Sequence, residues 1–153
     1  MTKDELKKKL KSAWAMQQQL QSDLMRLQNL RDIANNVTPV YGPSPGGSGN
    51  GQKIENAVTR IIALEAEIRR DMDDLVIAIG EVQQIISLAN DKNMEIVLRK
   101  RYLNYQKWEQ IAAELGYAWA QVHRLHTKAL NAILNRINIT ESVAIDAKIK
   151  EWD

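Results

Sequence analysis

The chain contains no cysteine, which removes disulfide scaffolds, thiol nucleophiles and zinc fingers from consideration together. Phenylalanine is absent as well, so any core must be assembled from Leu, Ile, Val, Met and Ala with four Trp and four Tyr. No run reaches the roughly 18 consecutive apolar residues of a membrane span, and Met1-Thr-Lys-Asp-Glu-Leu6 does not begin a signal peptide. The sequons at Asn36 and Asn138 are accordingly read as chance matches. Proline is nearly missing: all three prolines, with five of the seven glycines, fall between Pro39 and Gly51. That stretch reads as a linker, assigned to residues 37–52, because Pro fixes φ and removes a donor while Gly raises the entropy cost of order. It lacks the Gly-x-x-x-x-Gly-Lys-Ser/Thr spacing that cradles phosphates, so a nucleotide site there is not expected.

What remains is a chain of 153 residues, 26% charged and 44% hydrophobic, the composition of a folded helical protein. The formal charge is only +2, but it is unevenly placed. Residues 1–90 balance to zero, residues 91–136 carry +4 and residues 137–153 carry −2. A basic excess confined to one segment suits a phosphate-facing surface or a solvated one.

Both flanks of the linker carry helical periodicity. Ile54, Val58, Ile61, Glu65, Ile68, Met72, Leu75, Ile79, Val82, Ile86 and Ala89 step by four and three, with Glu65 the one polar member. Before the linker, Leu6, Leu10, Ala13, Gln17, Leu20, Leu24 and Leu27 repeat the same step more weakly. Such heptad seams predict a long antiparallel helical hairpin, coiled-coil-like, over residues 1–90. Ile62, Val76, Ile77, Ile85 and Leu88 widen the stripe beyond what one partner covers. A homo-oligomer, dimer to tetramer, is therefore expected, with Ile61, Ile68, Met72, Leu75, Ile79 and Val82 as its contacts. Asp71-Met-Asp-Asp74 is read as a solvated helix face, since a continuous helix supplies no calcium loop; no metal site is expected.

From Asp91 the helices shorten. Met94–Leu103, Trp108–Leu115 and Trp119–Ile137 form three amphipathic segments, and Gly116-Tyr117 interrupts the last two. With Trp108 as the first position of a helix-turn-helix, Ala112 falls where the helices cross closely and Gly116 where the turn needs positive φ. Val122 falls in the core between them, with Ile111, Leu115, Tyr117 and Leu125 at the remaining buried positions. Residues 91–138 are thus assigned to a DNA-binding unit and 139–153 to a tail, either acidic and interacting or a short packed helix.

The run from Leu98 through Tyr117, with Val122-His-Arg-Leu-His126 and Ala129-Leu130, resembles the promoter-reading helix-turn-helix of sigma-factor region 4. It is still more similar to small phage-encoded regulators of the ArpU/RinA type, late-gene activators in which a helical pair with a Ser/Gly-rich insert precedes the motif. Ile54–Ile68 resembles their second helix, so the likeness extends over most of the chain up to about Leu134. The resemblance implies an all-α fold, double-stranded DNA as partner, work beside host RNA polymerase, and a place at the nucleoid of the bacterial cytoplasm. Where that family commonly has a capping Ser or Thr before each motif helix, this chain has Lys107 and Ala118.

The outward positions of the third helix are Trp119, Ala120, Gln121, His123, Arg124, Thr127 and Lys128. Gln121 suits an adenine edge, Arg124 a guanine edge or a phosphate, and Lys128 a phosphate. Lys107, Arg99 and Arg101 would add backbone contacts, with Lys100 in the same basic run. Trp108 reads as a packing anchor. His126 is expected to be partly buried, and His123 with His126 lacks the further ligands a metal needs. No nucleophile–base pair stands out, so neither an enzyme nor a cofactor is expected. The readings kept open are a DNA-packaging adaptor of the small-terminase kind and a structural coiled-coil protein. A promoter-melting sigma factor is disfavoured, because residues 1–90 hold no aromatic cluster to capture flipped bases.

Overall fold

The computed structural model describes residues 1–36 and 48–151. The fold is all-α, with no strand among the described residues. Six helices follow one another: α1 (Lys3–Leu10), α2 (Ser12–Asn36), α3 (Ser48–Ser87), α4 (Lys92–Tyr102), α5 (Trp108–Leu115) and α6 (Trp119–Lys150). None is long and apolar enough to cross a membrane.

The linker expected over 37–52 is shorter at its far end. Ser48–Gly51 are already helical, and residues 37–47 lie outside the described residues. All three prolines precede Ser48. A helical glycine costs about 1 kcal/mol, which a helix of this length absorbs at Gly49 and Gly51.

The chain divides into two compact units, Met1–Ala15 with Ile77–Asp153, and Met16–Val76. The heptad periodicity predicts one region over residues 1–90. Instead α1 packs on α6, and Leu6, Leu10 and Ala13 lose all their exposure in the first unit. Helix α1 is fixed at its start by a capping box. Thr2 Oγ1 accepts from Glu5 N–H at 3.3 Å, and the Glu5 carboxylate accepts from Thr2 N–H at 2.8 Å.

In the same unit α6 packs against α1, α4 and α5. Asn90, at φ 51, ends the turn after α3, and the Asp91 carboxylate caps α4 by accepting from Met94 N–H at 2.9 Å. Helix α5 spans the interval read from the sequence. It closes at Gly116 (φ 66), where Tyr117 N–H reaches Ala112 O at 3.0 Å and Gly116 N–H reaches Ala113 O at 3.4 Å. These are the paired bonds of a Schellman ending. Helix α6 does not stop near Ile137. It continues to Lys150, so in place of a short packed helix the tail is the end of α6, and its residues from Asn138 onward are exposed.

In the second unit α2 and α3 pack side by side around Leu20, Leu27, Leu64 and Ile68, flanked by Leu30, Ile61 and Leu75. Arg31 meets Glu65 at 2.9 Å while Asp23 lies beside Glu67 and Asp71, so the two helices run in opposite directions. The buried line differs from the seam read in sequence. Ala57 and Leu64 are buried where Val58 and Glu65 were expected, and Asp71 is half-buried where Met72 was; Met72 is 49% exposed. On α2 the expected Leu24 is 46% exposed, and Asp23 is buried in its place. The apolar stripe of α3 is wider than a two-helix contact, and α2 covers one flank of it.

Candidate nucleic-acid interface

A small core behind α5 and α6 positions the candidate residues. Val97 of α4, Ile111 and Ala112 of α5 and Val122 of α6 are buried together, with Trp108, Leu115, Tyr117 and Leu125 packed around them. Ala112 is small where α5 nears α6, and Gly116 supplies the left-handed turn that redirects the chain. Neither helix has a side-chain cap: Lys107 and Ala118 occupy the N-cap positions with extended backbone and no capping bond. One of the free N–H groups of α6 finds the backbone instead, Gln121 donating to Ala118 O at 3.0 Å, the same oxygen that accepts the first regular helical bond from Val122 at 3.2 Å.

With Val122, His126, Ala129, Leu130 and Ile133 turned inward, the opposite side of α6 is left to solvent. Ala120, Gln121, Arg124, Thr127 and Lys128 are all exposed there. Arg124 lies back along its own helix, its Nε donating to Ala120 O at 3.5 Å. At the 3.6-residue period Ala120, Arg124 and Thr127 form one row, with Gln121 and Lys128 along its edge. Lys107 is exposed at the start of α5.

Two expected contact residues are placed otherwise. His123 is half-buried, its ring 3.9 Å from that of Trp119 and 4.6 Å from that of Trp108, centroid to centroid. Its Nε2 is buried without a partner among the described residues, so the ring packs between two indoles rather than projecting towards a base edge. Arg101 is also occupied. Its guanidinium stacks 4.6 Å from the Trp108 ring and donates to Gln106 O at 3.0 Å, an arrangement that braces the loop before α5. Lys100 pairs with Glu114, whose carboxyl the Lys100 ammonium and then the Gln106 amide hold below the usual carboxylate range. Arg99 is exposed and has no ion pair among the described residues. Trp119 remains 56% exposed despite its contact with His123.

Beneath this face lies a buried polar pair that the sequence indicated only in outline. Tyr102 Oη and His126 Nε2 are 2.8 Å apart, and the His126 ring meets Trp108 edge-on at 4.7 Å. Burial pushes the His126 pKa down to about 4, helped by the nearby charges of Lys7, His123, Arg101 and Lys3; burial likewise pushes Tyr102 up to about 12. Both side chains are neutral near pH 7 and fill each other's hydrogen-bonding need. The loop that delivers α5 carries Tyr105 at φ 56, a left-handed conformation uncommon for a bulky side chain.

Of the residues expected to hold an oligomer together, Ile68 and Val82 are buried within their own chain. Ile61, Leu75 and Ile79 are half-buried, and Met72 alone is exposed. Val58, Ile62 and Val76 share its open flank; Val76 is 69% exposed. Comparison with protein-family models, with curated proteins and with solved structures returned no match.

Proposed function

We propose that this chain binds double-stranded DNA through the exposed face at the start of α6 and acts as a transcriptional regulator of the phage or prophage type. The observation that carries the reading is the pairing of two features on one helix. Val122 locks the inner side into the core with Val97, Ile111 and Ala112, while Gln121, Arg124, Thr127 and Lys128 stand together on the outer side. A helix held from behind, with donors near its N-terminus and cations one to two turns on, suits entry into a major groove. Gln121 and Arg124 are assigned to base edges, and Lys128, Lys107 and Arg99 to phosphates. The local excess of +4 over residues 91–136 supplies the attraction that phosphate contacts need.

Trp119 extends the face at its leading end. His123 and Arg101 serve it from behind, stacking on Trp119 and Trp108 and so fixing where α5 and α6 start in the absence of side-chain caps. The resemblance to sigma-region-4-like regulators makes host RNA polymerase the second partner. Among the described residues up to Asn90, Trp14 is the only aromatic side chain, which favours a regulator acting beside a sigma factor over a sigma factor itself.

Self-association is assigned to the open flank of α3. Val58, Ile62, Met72 and Val76 are exposed and recur at heptad-compatible spacing, the arrangement that a second copy of the chain would cover. The test of function is selection from a library of random duplexes by the full chain, followed by anisotropy titration of the recovered sequence. Arg124→Ala is expected to lose about 1–3 kcal/mol on that sequence, and Lys128→Ala to weaken all duplexes alike. A ring of about eight or more subunits in sedimentation would favour a packaging adaptor instead.

A further inference from the structure

Asp23 on α2, and Glu67 with Asp71 on α3, bring one carboxylate oxygen each to within 4.8 Å of one another. Their places follow from the packing of the second unit. Asp23 occupies the buried position between Leu20 and Leu27, and Glu67 and Asp71 stand four residues apart on the helix opposite. Asp23 is only 6% exposed. One of its oxygens, Oδ1, takes a hydrogen bond from Arg26 at 3.2 Å; the other, Oδ2, is buried with no partner among the described residues. Asp71 Oδ2 is buried and unpartnered in the same way. Two acceptor-only oxygens stripped of water in one place, beside a third carboxylate, are costly unless something positive satisfies them.

We infer that this cluster is a site for a hard divalent cation of about the size of Ca²⁺, joining α2 to α3. Ca²⁺ takes about six to eight oxygens in a flexible shell, whereas Mg²⁺ demands a near-ideal octahedron and gives up its waters reluctantly. Carboxylates fixed on two helices, with oxygens within 4.8 Å of one another, suit the more flexible shell. Charge fits too: three carboxylates less the Arg26 guanidinium leave −2, which one such ion neutralises. A cleft of about 530 Å³, bounded by Arg26, Arg60 and Glu67, opens beside the cluster and provides entry and room for the waters that complete the shell. Glu67 faces that cleft and is the exposed ligand; Asp23 is the deep one. The assignment is independent of the DNA-binding reading, since all three residues lie in the unit Met16–Val76.

The test uses the full chain freed of metal by chelation, titrated with CaCl₂ and with MgCl₂ in a calorimeter and followed by thermal unfolding. One Ca²⁺ per chain is expected, with Mg²⁺ weaker, and Tm rising by roughly 5–10 °C at a hundredfold excess over Kd. Asp71→Asn and Glu67→Gln should each abolish the heat and the Tm rise. Asp71→Asn also removes one of the crowded charges, so the metal-free variant should melt no lower than the wild type, which separates loss of the site from loss of the fold. Binding of either ion that both variants abolish supports the site. Absence of binding by both ions, or binding that both variants retain, overturns it.

Discussion

His126 shows how one buried side chain ties α6 to pH. Its ordinary pKa of 6.5 falls to about 4 in the folded chain, chiefly because the ring is buried and because Lys7, His123, Arg101 and Lys3 face it. Above pH 6.5 the ring is neutral folded or unfolded, and this contribution to stability is fully present. As the pH falls from 6.5 towards 4, the unfolded chain takes up a proton that the folded chain resists, and stability is lost. The whole effect is on the order of 3 kcal/mol, about 2 of it gone by pH 5. Thermal unfolding from pH 7.5 to 5 should therefore show a falling Tm, and His126→Gln should flatten that fall while retaining a polar partner for Tyr102. An equal slope in the variant would assign the pH dependence elsewhere. Asp23 is the counterpart in the second unit: a buried carboxylate beside Leu24, the residue expected in the seam, with an oxygen that no side chain among the described residues satisfies.

At the scale of elements, the short helices were the most legible part of the chain. Ala112, Gly116 and Val122 each have a specific steric duty at a fixed spacing, and α5 with its left-handed ending lies where those duties place it. Gly116→Ala is expected to cost about 1–2 kcal/mol from backbone conformation alone, since an added Cβ would meet nothing within 4 Å. Urea unfolding at constant m checks that value; a neutral result would mean the turn can re-form without its glycine. The long helices were legible in existence but not in rotation. Both flanks of the α3 stripe are apolar, so periodicity alone could not choose between Leu64 and Glu65, or between Asp71 and Met72, as the side turned to α2. Asp23 was hidden by the habit of assigning the apolar residue, Leu24, to the seam. The length of α6 was hidden because residues 138–150 bury nothing and so leave no amphipathic signature of a packed helix. His123 looked like a groove-facing residue by position, but Trp108 and Trp119 on either side offered it a better contact.

For the molecule as a whole, the open flank of α3 and the outer face of α6 are separable surfaces, one in each compact unit. Ile62→Asp with Met72→Asp should dissociate an oligomer yet leave helical content and Tm nearly unchanged, because both side chains are exposed in the single chain. Ile68→Asp buries a charge in the core of the second unit and should instead unfold it, at a cost of several kcal/mol. Sedimentation and circular dichroism on the same samples distinguish the two outcomes, and a wild type that is monomeric at micromolar concentration would remove the self-association. The central claim, that the outer face of α6 meets DNA, is tested most directly by the salt dependence of duplex binding. Wild type and Lys128→Ala would be compared by anisotropy on one selected duplex and one random duplex between about 50 and 200 mM salt. The expected result is measurable binding by the wild type, and in the variant a slope of log K against log salt shallower by about one on both duplexes. No binding to either duplex at the lowest salt, or an unchanged slope when Lys128 and Arg124 are both replaced by alanine, would contradict it.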